Sequence, residues 1–207
     1  MAYVKYPRTM HLPWSDGITD DDKVIETLDS LEGDYVVITE KMDGENTTMY
    51  RDHIHARSVD SKHHPSRDWV KGFHASIKHN IPEGWRVCGE NVYAQHSIHY
   101  DNLPSYFLGF SIWNENNECL RWIETMQRFQ EWGITPVPII WAGLCDFNMI
   151  REGLHPWNDE REGYVVRAGG KFHIDEFPIK VAKYVRENHV QTDQHWMKGP
   201  IVQNCLA

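Results

Sequence analysis

Apolar positions in this chain fall mostly in short runs rich in β-branched residues, and at three places they recur with helical spacing. Residues 34–41, with Tyr35, Val36, Val37, Ile38 and Thr39, predict a strand. Asp43-Gly44 is a hairpin-turn pair, and Asn46 to Arg51 resumes as a second strand, so Lys41 ends a strand just before a tight turn. Further strands are expected over 85–93, 105–113, 137–141, 163–168, 171–174 and 179–185, with Gly169-Gly170 joining two of them as a hairpin. The helical spacings are Val24, Ile25 and Leu28 behind a Thr19 or Asp20 cap, Trp69, Val70, Phe73 and Ile77 after Ser66, and 120–132 closed by Gly133. Strands joined mainly by hairpins predict an α+β fold of largely antiparallel sheets flanked by helices.

Composition sharpens this picture. With 207 residues, 41% hydrophobic and 25% charged, the chain has the make-up of a folded protein and the length of one domain. A net charge of −9 excludes bulk attraction to polyanions, so any nucleic acid must meet a local cationic patch. One candidate is the stretch from Arg51 to Arg86, where Arg57, Lys62, Arg67, Lys71 and Lys78 alternate with six histidines. Four cysteines without a C-x-x-C pair point to reduced thiols and a cytoplasmic setting, and no apolar run reaches the length of a membrane span.

The chemistry-bearing stretch is Lys41-Met-Asp-Gly-Glu-Asn46. A lysine held by a turn, in a buried site with cations nearby, can lose its proton and act as a nucleophile. Downstream, in order, stand Arg57 in Ala-Arg-Ser, Glu90 in Cys-Gly-Glu-Asn-Val-Tyr, Phe110 in Phe-Leu-Gly-Phe-Ser-Ile-Trp, Glu162-Gly-Tyr-Val-Val-Arg167, and Lys180-Val-Ala-Lys183. Singly each reads as an ordinary strand, core or surface residue.

Their joint order resembles the covalent nucleotidyltransferases, the ATP-dependent ligases and capping enzymes, and most closely the RNA ligases of the RNA ligase 2 type. The resemblance spans about residues 34–186. It implies a nucleotidyltransferase fold, ATP-grasp-like, filling the whole of 1–207 as a monomer without an OB-fold domain. It also implies that Lys41 attacks the α-phosphorus of ATP, passes AMP from a lysyl-adenylate to an RNA 5′-phosphate, and that an RNA 3′-hydroxyl then displaces AMP. Asp43, Glu90 and Glu162 are the implied carboxylates for Mg²⁺ or Mn²⁺, held partly through water. Lys183 or Lys180 would meet the α-phosphate and Arg57 the phosphate of the RNA strand. Phe110 would stack on adenine, Glu40 would accept from its N6 amine, and Asn46 would lie near ribose or phosphate. An end-healing kinase or phosphatase is an expected type of partner.

Three features depart from the family pattern. Lys180 and Lys183 are three apart where relatives carry Lys-x-Lys, Ser111 stands where many carry an acid, and strand alternation sets Glu40 opposite Lys41. Two other readings compete: a metal-binding β-barrel using His53 and His55 with His63 or His64, and a catalytically silent nucleotide- or RNA-binding relative.

Overall fold

The computed structural model describes residues 2–154, 161–187 and 200–207. Most of the polar and aromatic stretch from Arg186 to Lys198 lies outside the described residues.

The strands are β1 (Met10–His11), β2 (Tyr35–Lys41), β3 (Glu45–Tyr50), β4 (Ile54–Ala56), β5 (Arg86–Asn91), β6 (Phe107–Trp113), β7 (Glu118–Cys119), β8 (Thr135–Pro136), β9 (Ile139–Leu144), β10 (Gly163–Ala168), β11 (Phe172–His173) and β12 (Val181–Val185). Helices α1 (Asp68–Ile77), α2 (Trp122–Trp132), α3 (Phe147–Gly153) and the single turn α4 (Phe177–Lys180) accompany them. Two sheets result, ordered β1-β12-β10-β2-β9 and β11-β7-β6-β5-β3-β4, with β8 added beside β6. The pairings are antiparallel except β1 with β12 and β6 with β8, which makes the chain α+β as its sequence pattern predicts.

Three apolar clusters hold these layers. One packs Val36, Ile38, Tyr164, Val166 and Tyr184 of the first sheet with Leu12, Leu31, Phe147 and Ile150. A second seats α1 and α2, through Val70, Ile77, Phe129 and Trp132, on Val87, Phe107 and Ile112 of the second sheet. The third joins Val37 and Met42 to Val92, Leu103, Leu108 and Val137, tying the two sheets together. Each is a contiguous burial of apolar surface, the dominant favourable contribution to folding. Helix α2 ends as expected, with Gly133 in the left-handed region at φ 69°.

Both expected hairpins are absent. β2 and β3 flank Asp43-Gly44 but belong to different sheets, so the turn carries the chain across the gap between them. The reason lies in what the turn binds: the Asp43 carboxylate accepts from the backbone N–H of Ser97 at 2.7 Å and Ile98 at 2.8 Å, and Asp43 N–H donates to the Tyr100 hydroxyl. Gly44 passes so near β5 that a Cβ there would lie 2.6 Å from the Asn91 carbonyl oxygen. Gly169-Gly170 makes a similar crossing, since β10 pairs in the first sheet and β11 with β7 in the second.

Two other expectations change. Residues 19–28 form no helix, because Thr19 donates through N and Oγ1 to Asp22 and the backbone at Lys23 and Ile25 bonds His11 alongside β1. The strand expected from residue 179 begins at Val181, as Ile179 and Lys180 close the helical turn α4.

A Cβ on Gly163 would stand 2.0 Å from the backbone oxygen of Tyr184, where neither chain can give. Gly163→Ala is therefore expected to cost at least roughly 1–3 kcal/mol, read as a lowered Tm, whereas Gly72→Ala, in open space on α1, should be neutral or stabilising.

Candidate active site

Lys41 ends β2 directly opposite Gly163 in the β2–β10 ladder, which brings Glu162 beside it. Lys41 Nζ donates to Glu162 Oε2 at 2.6 Å, and Glu162 is buried. The turn after Lys41 then delivers Asn46 onto β3, where it pairs with Glu90 of β5. From the other side, β12 places Lys183 opposite Val165 of β10 and next to His11 of β1.

These elements enclose a cavity of about 290 Å³ between the sheets. Glu40, Lys41, Asn46, Arg57, Glu90, Phe110 and Lys183 all border it. Glu40 and Lys41 therefore reach the same space despite their adjacent positions, next to a register shift where Ile38 faces Trp141 and Thr39 faces Ile139. The Asn46 Oδ1 is buried without a hydrogen-bond partner, an acceptor left unsatisfied on the cavity wall.

Three expected residues do not themselves border the cavity, one of them Glu162, which meets Lys41 instead. Asp43 spends its carboxylate on the Ser97 and Ile98 amides and does not line it. Lys180, in the helical turn rather than in a strand, donates to the Ser30 carbonyl at 2.8 Å and approaches Asp34 at 3.4 Å. The irregular Lys-x-x-Lys spacing is thereby resolved, with Lys183 facing the cavity and Lys180 elsewhere.

The comparisons with known proteins bear on this arrangement. The RNA ligase family matches residues 34–185. The chain belongs to the RNA ligase family. No curated protein matches the sequence significantly. Among solved structures, a putative ATP-dependent DNA ligase from Aquifex aeolicus is similar at TM-score 0.55 and 21% identity, covering 88% of this chain and 50% of that one. An archaeal ATP-dependent RNA ligase gives 0.57 and 15%, covering 88% and 48%. A mutant Naegleria gruberi RNA ligase with ATP and Mn gives 0.55 and 15%, covering 90% and 59%. The chain thus spans about half the length of these structures, and at such identities they show the shared fold.

In this RNA ligase family member, charge at the site is unbalanced. Burial alone would lower the Lys41 ammonium, but Glu162 and Glu90 outweigh it and hold Lys41 above the ordinary lysine value. Among the protein's own groups, carboxylates rather than cations dominate its surroundings. Burial, with Glu162, Asp43 and Glu45 nearby, pushes Glu90 up to about 8 against the pull of Lys41. Lys183 moves the other way, lowered by burial and by Lys41.

Arg167, Tyr6 and Arg8 are among the cavity residues that sequence reasoning did not assign to the site. Arg167, expected as a solvated strand residue, is buried and bonds the carbonyls of Phe110 at 2.9 Å and Leu120 at 3.2 Å, fixing the strand that presents Phe110. Tyr6 meets the Phe110 ring edge-on at 5.2 Å, and Arg8 lies on the rim. The only available signal for the last two was an aromatic and cationic run near the start.

His11, behind Lys183, is lowered to about 4 by burial first and by Lys183 next. A histidine depressed on folding contributes stability that is full above its unfolded value near 6.5 and is lost as pH falls toward 4. Comparing wild type with His11→Gln by urea unfolding should show the wild type losing ~2 kcal/mol more than the variant between pH 7 and pH 4.

Proposed function

We propose that the protein is an ATP-dependent RNA ligase joining RNA 3′-hydroxyl and 5′-phosphate ends through a lysyl-AMP on Lys41. The observation that carries this is the convergence of Lys41, Glu90, Lys183 and Phe110 on one cavity of nucleotide size, with Glu162 bonded to Lys41 at 2.6 Å.

Phosphoryl transfer is catalysed mainly by positioning and by neutralising charge on phosphate oxygens. Lys41 begins as an ammonium, and Glu162 Oε2 at 2.6 Å is placed to receive its proton. The freed Nζ then bonds to the α-phosphorus while pyrophosphate leaves. Lys183, across the cavity wall, supplies positive charge to the α-phosphate. Phe110 offers a flat apolar face to adenine, and Glu40 can accept from its N6 amine while repelling the O6 of guanine.

A divalent cation fits the donor set. Glu90 and Glu162 are oxygen ligands suited to Mg²⁺ or Mn²⁺, and the repulsion that raises Glu90 is what such an ion would relieve. When bound, it would neutralise charge on the phosphates of ATP. Asp43 stands further back, since it does not border the cavity and its Oδ2 accepts from both the Ser97 and Ile98 amides. Arg57, exposed on the cavity edge, is suited to the 5′-phosphate of the RNA.

The metal-protein alternative finds little support. His55 uses Nδ1 on the Ala56 carbonyl at 2.5 Å, and neither it nor His53 belongs to a group of three ligands among the described residues. A silent relative is distinguished by chemistry. With radiolabelled ATP and Mg²⁺ or Mn²⁺, the wild type should carry AMP through denaturing electrophoresis, with much weaker label from GTP. Lys41→Ala should carry none while remaining folded, with a lowered Tm because buried Glu162 loses this partner, and EDTA should block labelling. No label on wild type with either metal would overturn the reading.

Glu90→Ala and Glu162→Ala should each reduce adenylation by ~10²-fold or more. Arg57→Lys should preserve adenylation yet slow transfer to 5′-phosphorylated RNA, because ammonium lacks the planar fork of guanidinium. In a chain of charge −9, ligation should also fall more steeply with salt than adenylation does. Equal loss of both steps in Arg57→Lys would place that residue on ATP instead.

A further inference from the structure

Attack on the α-phosphorus leaves two further phosphates whose charge must be met, and most cations of the cavity are already committed. Lys41 is the nucleophile and pairs with Glu162. The Arg167 guanidinium is spent on the Phe110, Leu120 and Ala168 carbonyls. Lys183 is one ammonium close to Lys41, suited to the phosphate being attacked.

The geometry points to Arg8 as the residue that holds the outgoing pyrophosphate of ATP, an assignment that rests on the ligase reading above. The segment carrying Arg8 runs along the cavity. At one end Tyr6 meets Phe110, and at the other His11 pairs with Lys183 in the β1–β12 ladder. Arg8 stands between them on the rim, near enough to Lys183 for the two charges to repel. Its side chain is 46% exposed and 3.7 Å from Asp22, a loose pair at the edge of solvent. Asp22 is held by Thr19 and lies 3.4 Å from His11, so it stays in place when Arg8 turns inward. A guanidinium presents a planar fork that matches two phosphate oxygens.

In the step concerned, the neutral Lys41 Nζ forms the N–P bond and the bond from the α-phosphorus to the bridging oxygen breaks. That oxygen keeps the electron pair and leaves on pyrophosphate. Arg8 would stabilise the negative charge gathered there, and in the reverse direction would bind pyrophosphate for attack on lysyl-AMP. Transfer of AMP to RNA begins after pyrophosphate has gone, so Arg8 should matter to the first step alone.

The test uses full-length wild type, Arg8→Ala, Arg8→Lys and Asp22→Asn, each checked by Tm. Two reactions are followed from isolated lysyl-AMP enzyme: ATP formation against pyrophosphate concentration, and AMP transfer to 5′-phosphorylated RNA. Arg8→Ala should raise the half-saturating pyrophosphate and the KM for ATP by about tenfold or more, with transfer to RNA unchanged. Arg8→Lys should recover part of the loss. Asp22→Asn, which frees Arg8, should not weaken pyrophosphate binding, whereas a purely structural Arg8–Asp22 pair would make it behave like Arg8→Ala.

If Arg8→Ala takes too little label to isolate, pyrophosphate binding to the unlabelled protein by calorimetry gives the same comparison. Equal losses in both reactions, unchanged pyrophosphate dependence, or Asp22→Asn copying Arg8→Ala would each overturn the assignment. A wild type that forms no lysyl-AMP would instead overturn the ligase reading itself.

Discussion

The 2.6 Å contact between Lys41 and Glu162 is the constraint on which the arrangement of the cavity depends. A buried ammonium and carboxylate are tolerated only if they stay paired, because either alone would carry a large desolvation penalty. The pairing demands that β2 and β10 lie in register up to their ends, which the Lys41–Gly163 step of the ladder supplies. Gly163 in turn permits the close approach of β12, and that approach sets Lys183 on the same cavity. The pair also favours the ammonium form of Lys41.

The second sheet enters through the turn after Lys41. Its Asp43 carboxylate, satisfied by two backbone amides, works as a fastener: it anchors the crossing to the 97–100 loop and so sets the distance between Lys41 and the Asn46–Glu90 pair. One oxygen of this carboxylate, Oδ2, thus holds geometry. Glu90 on the cavity and Glu162 beside Lys41 carry the electrostatic imbalance of the site.

Around this centre, the 6–11 segment, which runs into edge strand β1 of the first sheet, forms a third wall. It is tied at the base by the Tyr6 and Phe110 rings and at the far end by pairing of His11 with Lys183. Arg167 serves the same wall from inside by fixing the backbone beneath Phe110. This end of the cavity is thus shaped by the 6–11 segment as well as by residues 34–185.

Local chemistry alone determined a good part of this. The strands over 34–41, 163–168 and 105–113, the α2 helix with its Gly133 stop, and the ordered series from Lys41 to Lys183 are properties of neighbouring residues, and neighbours can be read in one dimension. Which sheet each strand joins was decided elsewhere. Asp43-Gly44 and Gly169-Gly170 carry hairpin chemistry, yet long-range partners at Ser97, Ile98 and Cys119 draw the following strands into the other sheet. Lys180 left the cavity, and residues 19–28 gave up a helix, for the same reason: bonds to Ser30 and His11 outweighed local periodicity. Propensity is worth a fraction of a kcal/mol per residue, whereas satisfying buried backbone groups is close to obligatory, so tertiary pairing decided every position where the two disagreed.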